Sequence, residues 1–185
     1  MRGEAERSVA ASVTTRLRRQ ERSPLVLALA ACLVLALVAL AVVAWQWRGD
    51  AQRYDAERQA REVAEERTVQ ILTWKAATLD EDAAWAEDGA TASFQDDYAA
   101  IIDGLRETYG ALAASSSGTV LASSPRAASA DEVVVSLYAQ QRVAQSSSAT
   151  TTCVLSSIEL SMLRVDGAWL VDDLAAPGDP VAIPC

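Results

Sequence analysis

Few residues in this chain could do chemistry, and they are of few kinds. Histidine is absent from all 185 residues, which removes the imidazole base of Ser-His-Asp and Cys-His nucleophile activation and the commonest ligand for zinc, copper and iron. Carboxylates and thiols remain. The carboxylates cluster at Asp80-Glu81-Asp82, Glu87-Asp88, Asp96-Asp97 and Asp172-Asp173. Such pairs run acid–base catalysis when their surroundings hold their pKa values apart, and oxygen clusters can hold calcium. No cluster here has the glycine and later bidentate glutamate of a calcium loop. They fall at helix starts or a strand end, where carboxylates cap and face solvent. With no glycine-rich phosphate loop and no metal-spaced cysteine pair, the reading is of a non-enzyme with no catalytic residue, metal or cofactor.

The thiols have a different use. Cys32 lies in an apolar run, whereas Cys153 and Cys185 share the C-terminal part. A bridge between those two would close a loop of about thirty residues, worth about 3 kcal/mol in the chain-entropy description, and needs an oxidising compartment. The alternative is a buried thiol on a strand beside a free tail. Sequence leaves both open.

The element that must position everything else is Leu25 to Trp47, which carries no formal charge over 23 residues. As a helix it is roughly 34 Å long, enough to cross a hydrocarbon core of about 30 Å. Leu25 and Leu35 belong to this membrane span, Ser23 and Pro24 suit its N-cap and first turn, and Trp45 and Trp47 suit a membrane interface. Residues 1–23 form an Arg-rich arm of net charge +3, and residues 48–185 carry −12. Excess arginine beside a span favours the cytoplasm, so the arm is expected inside and the remainder outside a plasma membrane. A cleavable signal peptide has a shorter apolar core, of about 7–15 residues. Leu29-Ala30-Ala31-Cys32 resembles a lipoprotein processing box, but fifteen apolar or uncharged residues follow it where a polar linker belongs.

The acidic balance beyond the span excludes nucleic acid as a partner, because phosphate contacts need clustered basic side chains. Residues 48–79 read as a charged helical stalk. Ala56, Ala60, Val63, Ile71 and Trp74 recur at three- and four-residue steps, interrupted by Arg67, and Glu57–Arg61–Glu65 form i,i+4 pairs. That stripe either receives a partner helix or covers the chain's own sheet. Residues 80–176 read as one α+β domain and 177–185 as an irregular tail. Ser93-Phe94-Gln95-Asp96 resembles a capping box before a helix whose stripe is Phe94, Tyr98, Ile101, Ile102, Leu105, Tyr109 and Leu112. This stripe is core, or the wall of an apolar pocket able to take a lipid ligand. Ser115-Ser116-Ser117-Gly118 is expected to end the helices. Strands follow at 119–128, 132–144, 150–165 and 168–174, with Val133, Val135, Leu137, Ala139 and Val143 on one face despite Gln141, and Val154, Ile158, Leu160 and Met162 on one face. Asp166-Gly167 predicts a two-residue hairpin.

An arginine-rich arm, one span, a stalk, helices and a closing sheet form an order that resembles the Mce-associated membrane proteins of actinobacteria. The residues carrying the resemblance are Thr91-Ala92-Ser93-Phe94, similar to a threonine-glycine-x-phenylalanine entry into a helix with Ala92 in place of glycine, then Tyr98, and Gly167, Trp169, Leu170 and Val171. A similar hairpin closes cone-shaped domains of the nuclear transport factor 2-like class, including assembly factors of type IV secretion. The resemblance implies helices packed on a curved four-stranded antiparallel sheet, with Trp169 in or near its core. It also implies a single-pass accessory subunit that docks onto a membrane protein complex, an Mce-type lipid importer, and stabilises it. A lipid-binding carrier or a secretion assembly factor of the same fold is the alternative.

Overall fold

The computed structural model describes residues 24–146 and 150–185. The arginine-rich arm and part of the Ser146–Ser148 run lie outside the described residues. The first element is helix α1, Pro24–Leu72, and within this helix the chain divides into two compact units, one ending at Ala44 and the other beginning at Trp45.

The helical turns before Ala44 have an apolar window of mean hydropathy 2.8, none of it buried by the chain. Leu35 is 68% exposed and its neighbours Leu33, Leu37 and Leu40 are similarly bare. By length and composition this segment, from Ala28, can cross a membrane, and the expected span residue Leu25 lies in the same helix.

From Trp45 onward the chain forms helices packed on one antiparallel sheet. After α1 come strand β1, Trp74–Lys75, helices α2, Leu79–Ala83, α3, Ala86–Gly89, and α4, Ala92–Tyr109, then a 3-10 turn at Gly110–Leu112. Strands β2, Ala114–Ala127, β3, Glu132–Gln145, β4, Thr150–Val165, β5, Ala168–Ala175, and β6, Val181–Ile183, complete it. The order is β1-β2-β3-β4-β5, with β6 paired to β4 beside β5.

Period-two burial explains the sheet's strongest part. Val133, Val135, Leu137 and Ala139 on β3 are fully buried, facing α1 and α4 together with Leu160 and Met162 of β4 and Val171 of β5. Gln141 continues that face, and its Nε2 donates to Ser116 Oγ at 2.9 Å while Ser116 Oγ donates to the Leu72 carbonyl at 2.6 Å. The polar exception thus closes the end of helix α1. The expected hairpin is present: Val165 pairs with Ala168, and Asp166 and Gly167 have φ of 50° and 88°. Positive φ at both central residues is the type I′ signature that matches strand twist.

Several expectations are corrected. The sheet among the described residues has six strands, not four, because β1 and β6 add short pairings. Ser115-Ser116-Ser117-Gly118 belongs to β2, where Ser115 and Ser116 pair with Lys75 and Trp74. The tail is not wholly irregular: Val181–Ile183 pairs with Cys153–Leu155, and a disulfide joins Cys153 to Cys185 across a Cα–Cα distance of 5.4 Å.

Residues 48–79 are not one helical stalk. The helix ends at Leu72, and Trp74 lies on β1 rather than on a helical stripe. Ala56, Ala60, Ala64, Thr68 and Leu72, at four-residue steps, are buried in the domain's own core, with Val63 and Ile71 packed partly against it. The surface offered to a partner helix is therefore already covered by the sheet. Alanine permits this close approach, and the polar member Thr68 donates its hydroxyl to the Ala64 carbonyl at 2.7 Å. Arg67 does not break the packing: its guanidinium lies 5.5 Å from the Trp85 ring centroid and against Gly89, where a Cβ would come within 2.8 Å of it. Glu57 accepts from the Ala127 backbone N–H at 3.0 Å, and Glu65 accepts from the Ser123 hydroxyl while pairing with Arg61 at 3.6 Å. These carboxylates tie α1 to β2.

Candidate functional site

The expected pocket residues converge where α4 crosses the sheet. Thr91 is the N-cap of α4, accepting from the Phe94 N–H at 3.4 Å. The capping residue is thus Thr91 rather than Ser93. Its hydroxyl donates to Asp172 Oδ1 at 2.9 Å, and its backbone N–H donates to the Val171 carbonyl at 2.9 Å. Asp172 is available because β5 bulges there, Ser161 facing Asp173 and Met162 facing Val171. The extra residue turns the carboxylate toward the helix end.

Below this cap Phe94, Tyr98 and Ile102 are buried at four-residue steps. Phe94 and Tyr98 stack with centroids 5.6 Å apart, and Trp85 meets Tyr98 at 5.1 Å and Phe94 at 6.4 Å. Trp85 was not singled out from sequence, since it sits in a short segment with no readable period. Leu105 packs partly against the core, whereas Ile101 is 42% exposed and does not join it. Trp169 is buried in the core, with the Arg164 guanidinium 5.9 Å from its ring centroid. Trp74 closes the far end of the cluster, 5.3 Å from Tyr109.

Tyr98 and Ile102 also form one wall of an open groove of 360 Å³ between α2, α3 and α4. Its rim is acidic, with Asp80, Glu87 and Asp103, and Arg106 pairs with Asp80 at 2.7 Å and with Asp103. These ion pairs are solvent-exposed and contribute little to stability. Burial pushes the Tyr98 hydroxyl above its ordinary pKa of 10.0; the Trp85 side chain opposes this, and the charge of Asp82 adds to it. A neutral hydroxyl and aliphatic side chains make a contact surface for a small apolar or amphipathic group, not a proton shuttle near neutral pH.

Asp82, between the groove's Asp80 and the sheet, is committed to structure. Asp82 Oδ2 accepts from the Lys75 backbone N–H at 2.8 Å and from the Thr78 hydroxyl at 3.0 Å. Among the described residues no three His, Cys, Asp or Glu side chains stand together as a metal site. Trp45 and Trp47, the expected interface residues, are 79% and 73% exposed on α1.

Comparison with known proteins gives a fold rather than a family. No protein-family model matches the chain, and no curated protein matches it. Among solved structures, an IcmL-like type IV secretion system protein from Legionella pneumophila is similar with a TM-score of 0.56 at 12% identity, over 69% of this chain and 95% of that one. At that identity the likeness is of fold alone. The chain therefore joins one long apolar helix to an α+β domain of the nuclear transport factor 2-like fold, a curled antiparallel sheet packed by helices.

Proposed function

We propose that the chain is a non-enzymatic, single-pass accessory subunit of a cell-envelope complex. Its apolar helix crosses the bilayer with the arginine-rich arm in the cytoplasm, and its folded domain docks outside onto larger components and stabilises them. The observation that carries this reading is one chain that joins a bare apolar helix to a domain whose interior is already filled by its own side chains. The Cys153–Cys185 disulfide suits an oxidising compartment, which agrees with the orientation argued from the arginine bias. A lipid carrier of this fold would need an enclosed cavity. Here Val133, Leu137, Leu160 and Met162 fill the sheet's inner face, and the groove beside Tyr98 is open.

The fold of the Legionella pneumophila protein favours a secretion-type apparatus as the class of partner. A second reading, docking onto an Mce-type lipid importer, is favoured by the contact between Thr91 and Val171, which joins the two motifs that carry that resemblance. Crosslinking in native membranes followed by gentle detergent purification tests both. Secretion components captured with the full chain support the first partner, and importer permeases and lipid-binding subunits the second. A monodisperse monomer without companions overturns the docking role. Release of the chain by carbonate washing, or protection of the C-terminal domain from protease added to sealed cells, overturns the topology.

A further inference from the structure

Four surface clefts of the domain differ in charge. Carboxylates outnumber cations in three: Asp80, Glu87 and Asp103 against Arg106, Asp50 and Glu57 against Arg53, and Asp55 and Asp131 against Arg164. The fourth, of 490 Å³, reverses the balance. It lies at the sheet corner where β1 meets β2 and is lined by Lys75 and Arg142, with Asp82 as its one carboxylate. That carboxylate is occupied by the Lys75 backbone N–H and the Thr78 hydroxyl. Among the described residues neither the Lys75 ammonium nor the Arg142 guanidinium has an ion-pair partner.

Strand register brings these groups together. Lys75 lies opposite Ser115, Ser117 lies opposite Arg142, and their neighbours Trp74 and Ser116 are buried. Alternate residues share a face, so Lys75, Ser115, Ser117 and Arg142 all belong to the outward side. Strands stand about 4.8 Å apart, which places the two cations at the sides of a patch on the order of 10 Å wide with serine hydroxyls between them. Hydroxyls donate to one anion, a guanidinium grips two of its oxygens, and an ammonium supplies a movable point charge. Ala144, paired with Ser115 on the same face, adds only a methyl group beside the serines.

We propose that this corner binds a phosphate-type oxyanion, either free phosphate or the phosphate of a lipid headgroup. Lys75 and Arg142 supply the charge, and Ser115 and Ser117 the hydrogen bonds. The proposal stands apart from the docking role, because the site would operate whatever the domain docks onto.

The test is calorimetric titration of the full chain in phosphate-free maltoside detergent, with inorganic phosphate in one arm and monomeric dihexanoyl-phosphatidylglycerol in the other. Saturable binding of either probe, weakened at least about tenfold by Lys75→Met and by Arg142→Gln and retained by Lys75→Arg, supports the site. Tighter binding of the lipid assigns the headgroup as source, and equal or tighter binding of phosphate assigns the free ion. Both side chains are exposed, so the variants are expected to melt with the wild type. Absence of saturable binding of both probes, or equal binding by folded variants, overturns the proposal.

Discussion

Thr91 and Asp172, eighty-one positions apart, are joined by a 2.9 Å hydrogen bond that fixes the start of α4 on the β5 bulge. The same threonine caps the helix, so its removal frees both the Phe94 N–H and the Asp172 carboxylate. Thr91→Ala is expected to destabilise the domain by about 1–2 kcal/mol and Asp172→Ala by about 1 kcal/mol. A denaturation double-mutant cycle should give a coupling of at least about 0.5 kcal/mol, and strict additivity would deny the link.

Gly118 has a steric reason to be glycine. A Cβ there would fall 2.2 Å from Leu72 Cβ, so even alanine must push β2 away from the end of α1. Gly118→Ala should cost about 3 kcal/mol, at the upper end of overpacking effects. Gly104, in α4 with nothing within 4 Å of the added carbon, provides the contrast. Gly104→Ala should stabilise by about 0.5–1 kcal/mol, and thermal melting of the two variants reads the difference.

The disulfide pins a strand of only three residues. Reduction, or Cys153→Ala with Cys185→Ala, should lower stability by about 3.7 kcal/mol, since the bridge spans a sequence separation of 32. Hydrogen exchange should show the Val181–Ile183 amides losing protection first, with Ala168–Ala175 holding. Denaturation with and without reductant checks the energy.

Tyr98 makes stability fall in alkali. Its folded pKa lies above the unfolded 10.0 because burial disfavours the phenolate. The native state therefore holds a proton that the unfolded chain releases. This contribution is full below pH 10 and is lost as pH rises through the folded value. Tyr98→Phe should flatten the alkaline fall in melting temperature. An unchanged slope would place the effect elsewhere.

What sequence could read follows from how far each signal reaches. The inward face of β3 and β4 is legible because every second residue meets a covered surface, and Asp166-Gly167 is legible because two positive φ values need that chemistry. Helical spacing of Ala56 and Ala60 says that one side is covered, but not by what, and the cover proved to be the chain's own sheet. β1 and β6 are too short to display a period. Ser115 to Ser117 read as the end of the helices because their strand partners, Lys75 and Trp74 on β1 and Arg142, Val143 and Ala144 on β3, all lie 25 or more positions away. The choice of Thr91 over Ser93 as cap rests on Asp172, which no local window contains. The Lys75 and Arg142 corner is hidden for the same reason, since only strand register makes the two residues neighbours.

The helix that buries Ala56, Ala60, Ala64 and Thr68 also decides what happens if an envelope protease sheds the domain. A cut before Asp50 would set free a whole domain with its lining intact. A cut after Thr68 would strip that lining away and leave Val133, Val135 and Leu137 facing water, a surface fit for clumping rather than for work.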